Sequence, residues 1–160
     1  MIILGIDPAL AITGYGVIQA DKRFFNLLEA GVISTSPKEV LAKRLDKIYT
    51  GITKLIDDTK PDVAVLEKLY AHYAHPTTAF ILGHARGVIT LACAKKNIPV
   101  FEYAATRVKK AIVGRGLASK AQVQSMVVNI LNLDSVPKFF DVTDALALAI
   151  SHSYISRLKI

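Results

Sequence analysis

Two short runs constrain the fold of this chain more than any other feature. Ile2 to Asp7 and Asp62 to Glu67 are each almost wholly apolar, and each ends in a carboxylate. Alternate side chains of a strand point to opposite faces, so a strand apolar at successive positions must be covered on both sides. Both runs therefore read as central strands of a sheet sandwiched between helices. The carboxylate that closes each run emerges at the rim of the core, and Pro8 biases Asp7 toward extended backbone. If the two strands are parallel neighbours, Asp7 and Glu67 lie side by side.

The rest of the chain supplies the covering layers. Thr13 to Ala20 and Phe24 to Thr35 read as two further strands, which gives an antiparallel opening. Ser36, Pro37 and Glu39 have the spacing of a capping box with proline in the first helical position, and Leu41, Leu45, Ile48, Ile52 and Leu55 continue as an apolar stripe. This predicts one amphipathic helix from Ser36 to just before Pro61. A helix from about Pro76 to Lys96 is apolar on more than one side (Phe80, Ile81, Leu82, Val88, Ile89, Leu91), so it is expected to be covered on two faces. Ile98 to Phe101 reads as the last strand. Helices follow over about Ala104 to Val113, Ser119 to Leu131 and Phe139 to Arg157, the first two separated by Gly114-Arg115-Gly116. The expected fold class is α/β, a five-stranded mixed sheet flanked by helices on both faces, in a single domain over residues 1–160. Sites in such sheets collect at strand ends near the centre, where Asp7 and Glu67 fall.

Composition narrows the partners. The chain is 52% apolar, which excludes a disordered linker, and its net charge of +7 favours a polyanion. The basic excess is local: between Phe101 and Leu133 the only acidic residue is Glu102, while Arg107, Lys109, Lys110, Arg115 and Lys120 share that stretch. A solvated helix face would mix signs. The single cysteine, Cys93, excludes a disulfide framework and reads as packed core rather than a nucleophile. No segment reaches the ~18 uncharged apolar residues that a membrane span needs, and the N-terminus lacks a signal-peptide pattern, so a cytoplasmic protein is expected.

Asp141 and Asp144, three apart at the start of the last helix, project from one face. Were they to meet Asp7 and Glu67, four carboxylates would resist ionising together, and a hard divalent cation would relieve the repulsion. Oxygen-only ligands point to Mg²⁺, or Mn²⁺ as a substitute, with one or two ions in the site. Two such ions are the usual arrangement for attack of water on a phosphodiester. A lysine near the scissile phosphate would add charge stabilisation, and Lys120, opening a helix inside the basic stretch, is the candidate. Singly, these carboxylates also read as turn chemistry at Asp7, a helix N-terminal charge at Asp141 and an exposed strand end at Glu67. Their convergence is what spacing alone leaves open.

These segments resemble the RuvC family, bacterial Holliday junction resolvases with a ribonuclease H-like fold. The matching stretches are Ile3-Leu-Gly-Ile-Asp-Pro8 with Thr13-Gly-Tyr-Gly-Val17, Val65-Leu-Glu67 and Gly83-His-Ala-Arg-Gly87. They continue with Pro99-Val-Phe-Glu-Tyr103, Val113-Gly-Arg-Gly116 with Lys120-Ala-Gln-Val-Gln124, and Asp141-Val-Thr-Asp-Ala-Leu-Ala147. They run in order through almost the whole chain. The resemblance implies that Asp7, Glu67, Asp141 and Asp144 ligate Mg²⁺ and that Lys120 supports the scissile phosphate. It implies a homodimer that nicks opposite strands of a four-way junction symmetrically, with RuvA and RuvB, the branch-migration proteins, as partners. Two positions depart from the family pattern. Ala9 stands where glycine is usual after Asp-Pro, which is harmless unless that position needs a positive φ. Tyr70 stands where the family commonly has Phe, and it keeps a face for stacking on an unpaired base.

Lesser signals are the loop histidines His72 and His75, read as solvated or capping, and His152, read as packing. Gly83 and Gly87, one turn apart, permit close backbone approach and mark a possible dimer face, with Arg86 between them as a cross-interface partner. Three rival readings exist. An actin-like or sugar-kinase-like ATPase also opens with Gly-Ile-Asp, but it needs a second domain that 160 residues do not supply. A junction-binding protein without cleavage would not need all four carboxylates and Lys120. A YqgF-type nuclease of RNA processing is separated by comparing structured RNA with a junction as substrate.

Overall fold

The computed structural model of the protein describes residues 1–21, 24–69 and 76–157, the side chains of 76–78 excepted. Strands β1 (Ile2–Asp7), β2 (Ile12–Ala20), β3 (Phe25–Ser34), β4 (Val63–Glu67) and β5 (Val100–Tyr103) form one sheet in the order β3-β2-β1-β4-β5. β1 is antiparallel to β2 and parallel to β4, and β4 is parallel to β5. The helices are α1 (Leu41–Thr59), α2 (Pro76–Lys95), α3 (Ala105–Val113), α4 (Lys120–Leu131) and α5 (Phe140–Arg157). This is the ribonuclease H-like, five-stranded mixed sheet with helices on both faces that the sequence led us to expect.

The alternation of β1 and β4 sorts the core into two layers. Leu4, Ile6, Ala64 and Leu66 pack with Ile48, Ile52 and Ile89 on the side of α1 and α2. Ile3 and Val65 pack with Leu146, Ile150, Val108 and Val127 on the side of α3, α4 and α5. Each fully buried Ile or Leu contributes about 1.5–3 kcal/mol of transfer free energy, so both layers are needed to hold the sheet. α5 is buried nearly all round, because the sheet lies beneath it and α3 and α4 cover it. It approaches the sheet closely because β1 and β2 carry glycine beneath it. A Cβ on Gly5 would stand 1.9 Å from the Ala145 carbonyl oxygen, and one on Gly14 would stand 2.2 Å from that of Asp141.

Three expectations are corrected. α1 starts at Leu41 rather than at Pro37, because Val40 adopts extended backbone (φ −60°, ψ 147°). The Ser36 and Glu39 hydrogen bonds do form, with the Ser36 N–H donating to Glu39 Oε2 and the Lys38 N–H to Ser36 Oγ, each at 3.2 Å, but they close an isolated turn. The helix start is tied down instead by Arg44 Nε, which donates to Thr35 Oγ1 at 2.9 Å. α2 is covered on one side only: Phe80 is 72% exposed and Leu91 50%, and Gly83 and Gly87 face open space. Arg86 does not wait for a partner across an interface, as shown below. Two smaller expectations hold. Ala9 has no left-handed backbone, and burial pushes the Cys93 thiol up to about 11, as befits a packed side chain.

Candidate active site

β1 and β4 are in parallel register, Ile6 beside Leu66, so their closing carboxylates are neighbours. The same alternation that sorts the core decides where they point. Asp7 shares parity with Ile3 and Gly5, and Glu67 with Val63 and Val65, so both belong to the face under α5. That helix brings Asp144 to the same place. Asp7, Glu67, Asp144, Lys109 and Lys120 line one cavity of about 260 Å³. Ala105, Val108, Val123, Ala147 and Leu148 complete its wall, and this apolar lining lowers the local dielectric and strengthens every charge interaction inside.

The carboxylates act on one another. Burial raises the Asp7 carboxyl to about 7, with the charges of Asp144, Asp141 and Glu67 pushing the same way and Lys120 opposing them. The Glu67 carboxyl is also raised, first by burial and then by Asp144, against the pull of Lys120, Lys109 and Arg86. Lys120 Nζ donates to Asp144 Oδ2 at 3.2 Å, and that charge and hydrogen bond hold its ammonium above the usual range. The pair is well exposed on the lysine side, so it contributes at most about 1 kcal/mol to stability. Asp141 does not line the cavity. It sits at the edge, its backbone under Gly14, close enough for its charge to act on Asp7.

An all-oxygen donor set whose members raise one another's pKa fits a hard divalent cation. Among the described residues no three His, Cys, Asp or Glu side chains stand close enough to share an ion as they are, and Asp144 is engaged by Lys120.

Of the other basic residues, Arg107 lies over the Tyr103 ring, 5.3 Å from its centroid, while Lys110 and Arg115 are exposed outside the cavity. Tyr70, His72 and His75 lie outside the described residues. His152 is buried and shares a 2.9 Å hydrogen bond with the Tyr103 hydroxyl, tying α5 to the end of β5. Two features escaped the sequence reading. Arg86 Nη1 donates to the Glu67 carbonyl at 2.6 Å and its other nitrogen pairs with Glu102, so Arg86 braces the strand end that carries Glu67. Its position between Gly83 and Gly87 was the available signal. Lys109 proves to be part of the cavity wall itself, one turn into a helix whose start the sequence located only approximately.

Residues 3–152 match the family described as crossover junction endodeoxyribonuclease RuvC. A protein of that name from Ruminiclostridium cellulolyticum is 46% identical over 158 residues, 99% of this chain and 95% of the relative. Another from Alkaliphilus metalliredigens is 44% identical, over 96% of this chain and 93% of the relative. The solved structure of Thermus thermophilus RuvC in complex with a Holliday junction substrate superposes with a TM-score of 0.95 at 31% identity, covering 99% of this chain and 96% of that one.

Proposed function

Because the chain belongs to the RuvC family of crossover junction endodeoxyribonucleases, we propose that it resolves four-way DNA junctions in recombination and repair. It does so by paired, symmetric hydrolysis on opposing strands, leaving 5′-phosphate and 3′-hydroxyl nicks. The observation that carries this reading is the gathering of Asp7, Glu67, Asp144 and Lys120, from four separate elements, in one cavity. The junction held by the Thermus relative supports the substrate class.

In this reading Asp7, Glu67 and Asp144, with Asp141 from the edge, hold one or two Mg²⁺ ions, and Mn²⁺ substitutes. A cation held there would make an attacking water more acidic and offset charge that builds on the phosphate. The chain's own residues do the rest. The carboxylates fix the site, Lys120 exchanges Asp144 for the scissile phosphate, and Lys109 adds a second positive charge to the same cavity. Arg107, Lys110 and Arg115 neutralise phosphates farther along the arms. Tyr70 stacks on a base at the opened centre. The active unit is a homodimer of a single nuclease domain, joined through the uncovered face of α2, where Phe80, Ile81 and Leu91 are exposed. RuvA and RuvB deliver the junction in the cytoplasm. Among the described residues no helix is long and apolar enough to cross a membrane.

The test is incubation with a synthetic mobile four-way junction and Mg²⁺. Wild-type protein is expected to nick in symmetric pairs. Asp7→Asn and Glu67→Gln are expected to abolish cutting while binding stays within a few-fold. Normal cutting by either variant would refute the ligand assignment.

A further inference from the structure

The loop between α3 and α4 presents a side chain for which the chemistry above has no use. Leu117 is 94% exposed, although the backbone on both sides of it is pinned. Gly114 closes α3 in the left-handed conformation (φ 86°), its N–H donating to the Lys110 carbonyl at 2.9 Å. A Cβ on Gly116 would stand 3.1 Å from the Thr106 carbonyl oxygen, so the loop lies against the start of α3. Ala118 is 1% exposed, and its N–H reaches the Arg115 carbonyl at 3.3 Å. Ser119 and Gln122 then exchange capping-box hydrogen bonds at 3.0 and 3.2 Å. The chain has been given no slack with which to fold this leucine away.

Solitary exposed leucines are common on protein surfaces, so exposure alone decides nothing. The fixed presentation and the surroundings decide more. Lys120, three residues on, reaches Asp144 at the cavity. Three residues span at most about 10 Å of chain, so Leu117 stands within a few nucleotides' length of any phosphate that Lys120 contacts. Arg115 lies two residues before it, and Glu102, the only acid between Phe101 and Leu133, is already paired with Arg86. An apolar tip on a pinned loop, flanked by Arg115 and Lys120 beside the cavity, offers what a lysine cannot: van der Waals contact with sugars and base edges. Phosphate contacts fix position but carry no sequence information, whereas an apolar wedge discriminates, because flexible pyrimidine–purine steps open at lower cost than others.

We propose that Leu117 is a specificity-determining contact, entering the minor groove of the arm being cut beside the scissile phosphate and favouring cleavage at easily opened steps. This rests on the junction-cutting reading above. The test uses the full chain and a mobile junction whose branch point migrates through many sequences, with every nick mapped for wild type, Leu117→Ala, Leu117→Met and Arg115→Ala. Leu117→Ala is expected to flatten the nick distribution, losing about tenfold in kcat/KM at the favoured site, equivalent to about 1.4 kcal/mol, and much less elsewhere. Leu117→Met should restore the wild-type map. The salt dependence of binding should be unchanged in Leu117→Ala but shallower by about one counterion in Arg115→Ala. Melting temperatures should be equal, since the Leu117 side chain is almost wholly in solvent. A wild-type nick map from Leu117→Ala, or a uniform loss of rate with the map unaltered, would overturn the proposal while leaving the junction-cutting reading in place. Failure of wild type to cut any junction would overturn both.

Discussion

At Asp7, burial and three neighbouring carboxylates all push in one direction, and this has a consequence for stability. Its carboxyl titrates at about 7 in the folded chain against 3.8 as the ordinary value, so the folded state binds the proton more tightly. The stability associated with that proton is therefore fully present below pH 3.8 and is lost as pH rises through about 7. Each unit of such a shift corresponds to about 1.4 kcal/mol, so the penalty on the charged form at pH 8 is of the order of a few kcal/mol. Asp7→Asn is expected to raise the melting temperature by about 5 °C or more at pH 8 in a chelating buffer, and to change it little at pH 4. Added Mg²⁺ should narrow the gap by stabilising wild type alone; calorimetry at the two pH values reads all three outcomes. Lys109 is a second case decided at one residue. Lys109→Ala should weaken junction binding evenly across DNA sequences and flatten its salt dependence by about one counterion. Because Lys109 lines the cavity, it should also slow cutting of the bound junction, which single-turnover kinetics would separate from binding.

Among the elements, α5 decides whether the site exists, and the glycines beneath it decide where α5 lies. Gly14→Ala places a methyl group 2.2 Å from the Asp141 carbonyl oxygen, so the first turn of α5 must lift. A loss of about 1–3 kcal/mol of stability is expected. Cutting should fall more steeply than binding, because Asp141 and Asp144 ride on the displaced turn; a melt and a cleavage time course on the same sample check both. Much of this architecture was legible in advance. The apolar runs of β1 and β4 marked Asp7 and Glu67 as strand ends near the sheet centre, side by side if the two strands were parallel neighbours, and the register shows that they are; that both face α5 emerged only with the packing. The start of α1 was not legible, because the Ser36–Glu39 hydrogen bonds look the same in sequence whether the helix continues or Val40 turns extended. Nor was the bracing role of Arg86, since its two partners, the Glu67 carbonyl and Glu102, lie on different strands that only the sheet order brings together.

For the molecule as a whole, the sheet is covered on both faces but the outer surface of α2 is not. Phe80, Ile81 and Leu91 remain exposed there beside Gly83 and Gly87. If that surface joins two protomers, Leu91→Lys should shift sedimentation toward a single protomer and replace paired nicks by isolated ones, with the fold intact by circular dichroism. A Leu91→Lys protein that remains dimeric would move the interface elsewhere. At the cavity, the proposal is that carboxylates from β1, β4 and α5 jointly hold a divalent cation. Anomalous diffraction from crystals grown with Mn²⁺ tests it most directly. A peak is expected within bonding distance of Asp7, Glu67 and Asp144, lost in Glu67→Gln crystals; a cavity without a peak at saturating Mn²⁺, or a peak that ignores the substitution, would contradict shared binding by these carboxylates.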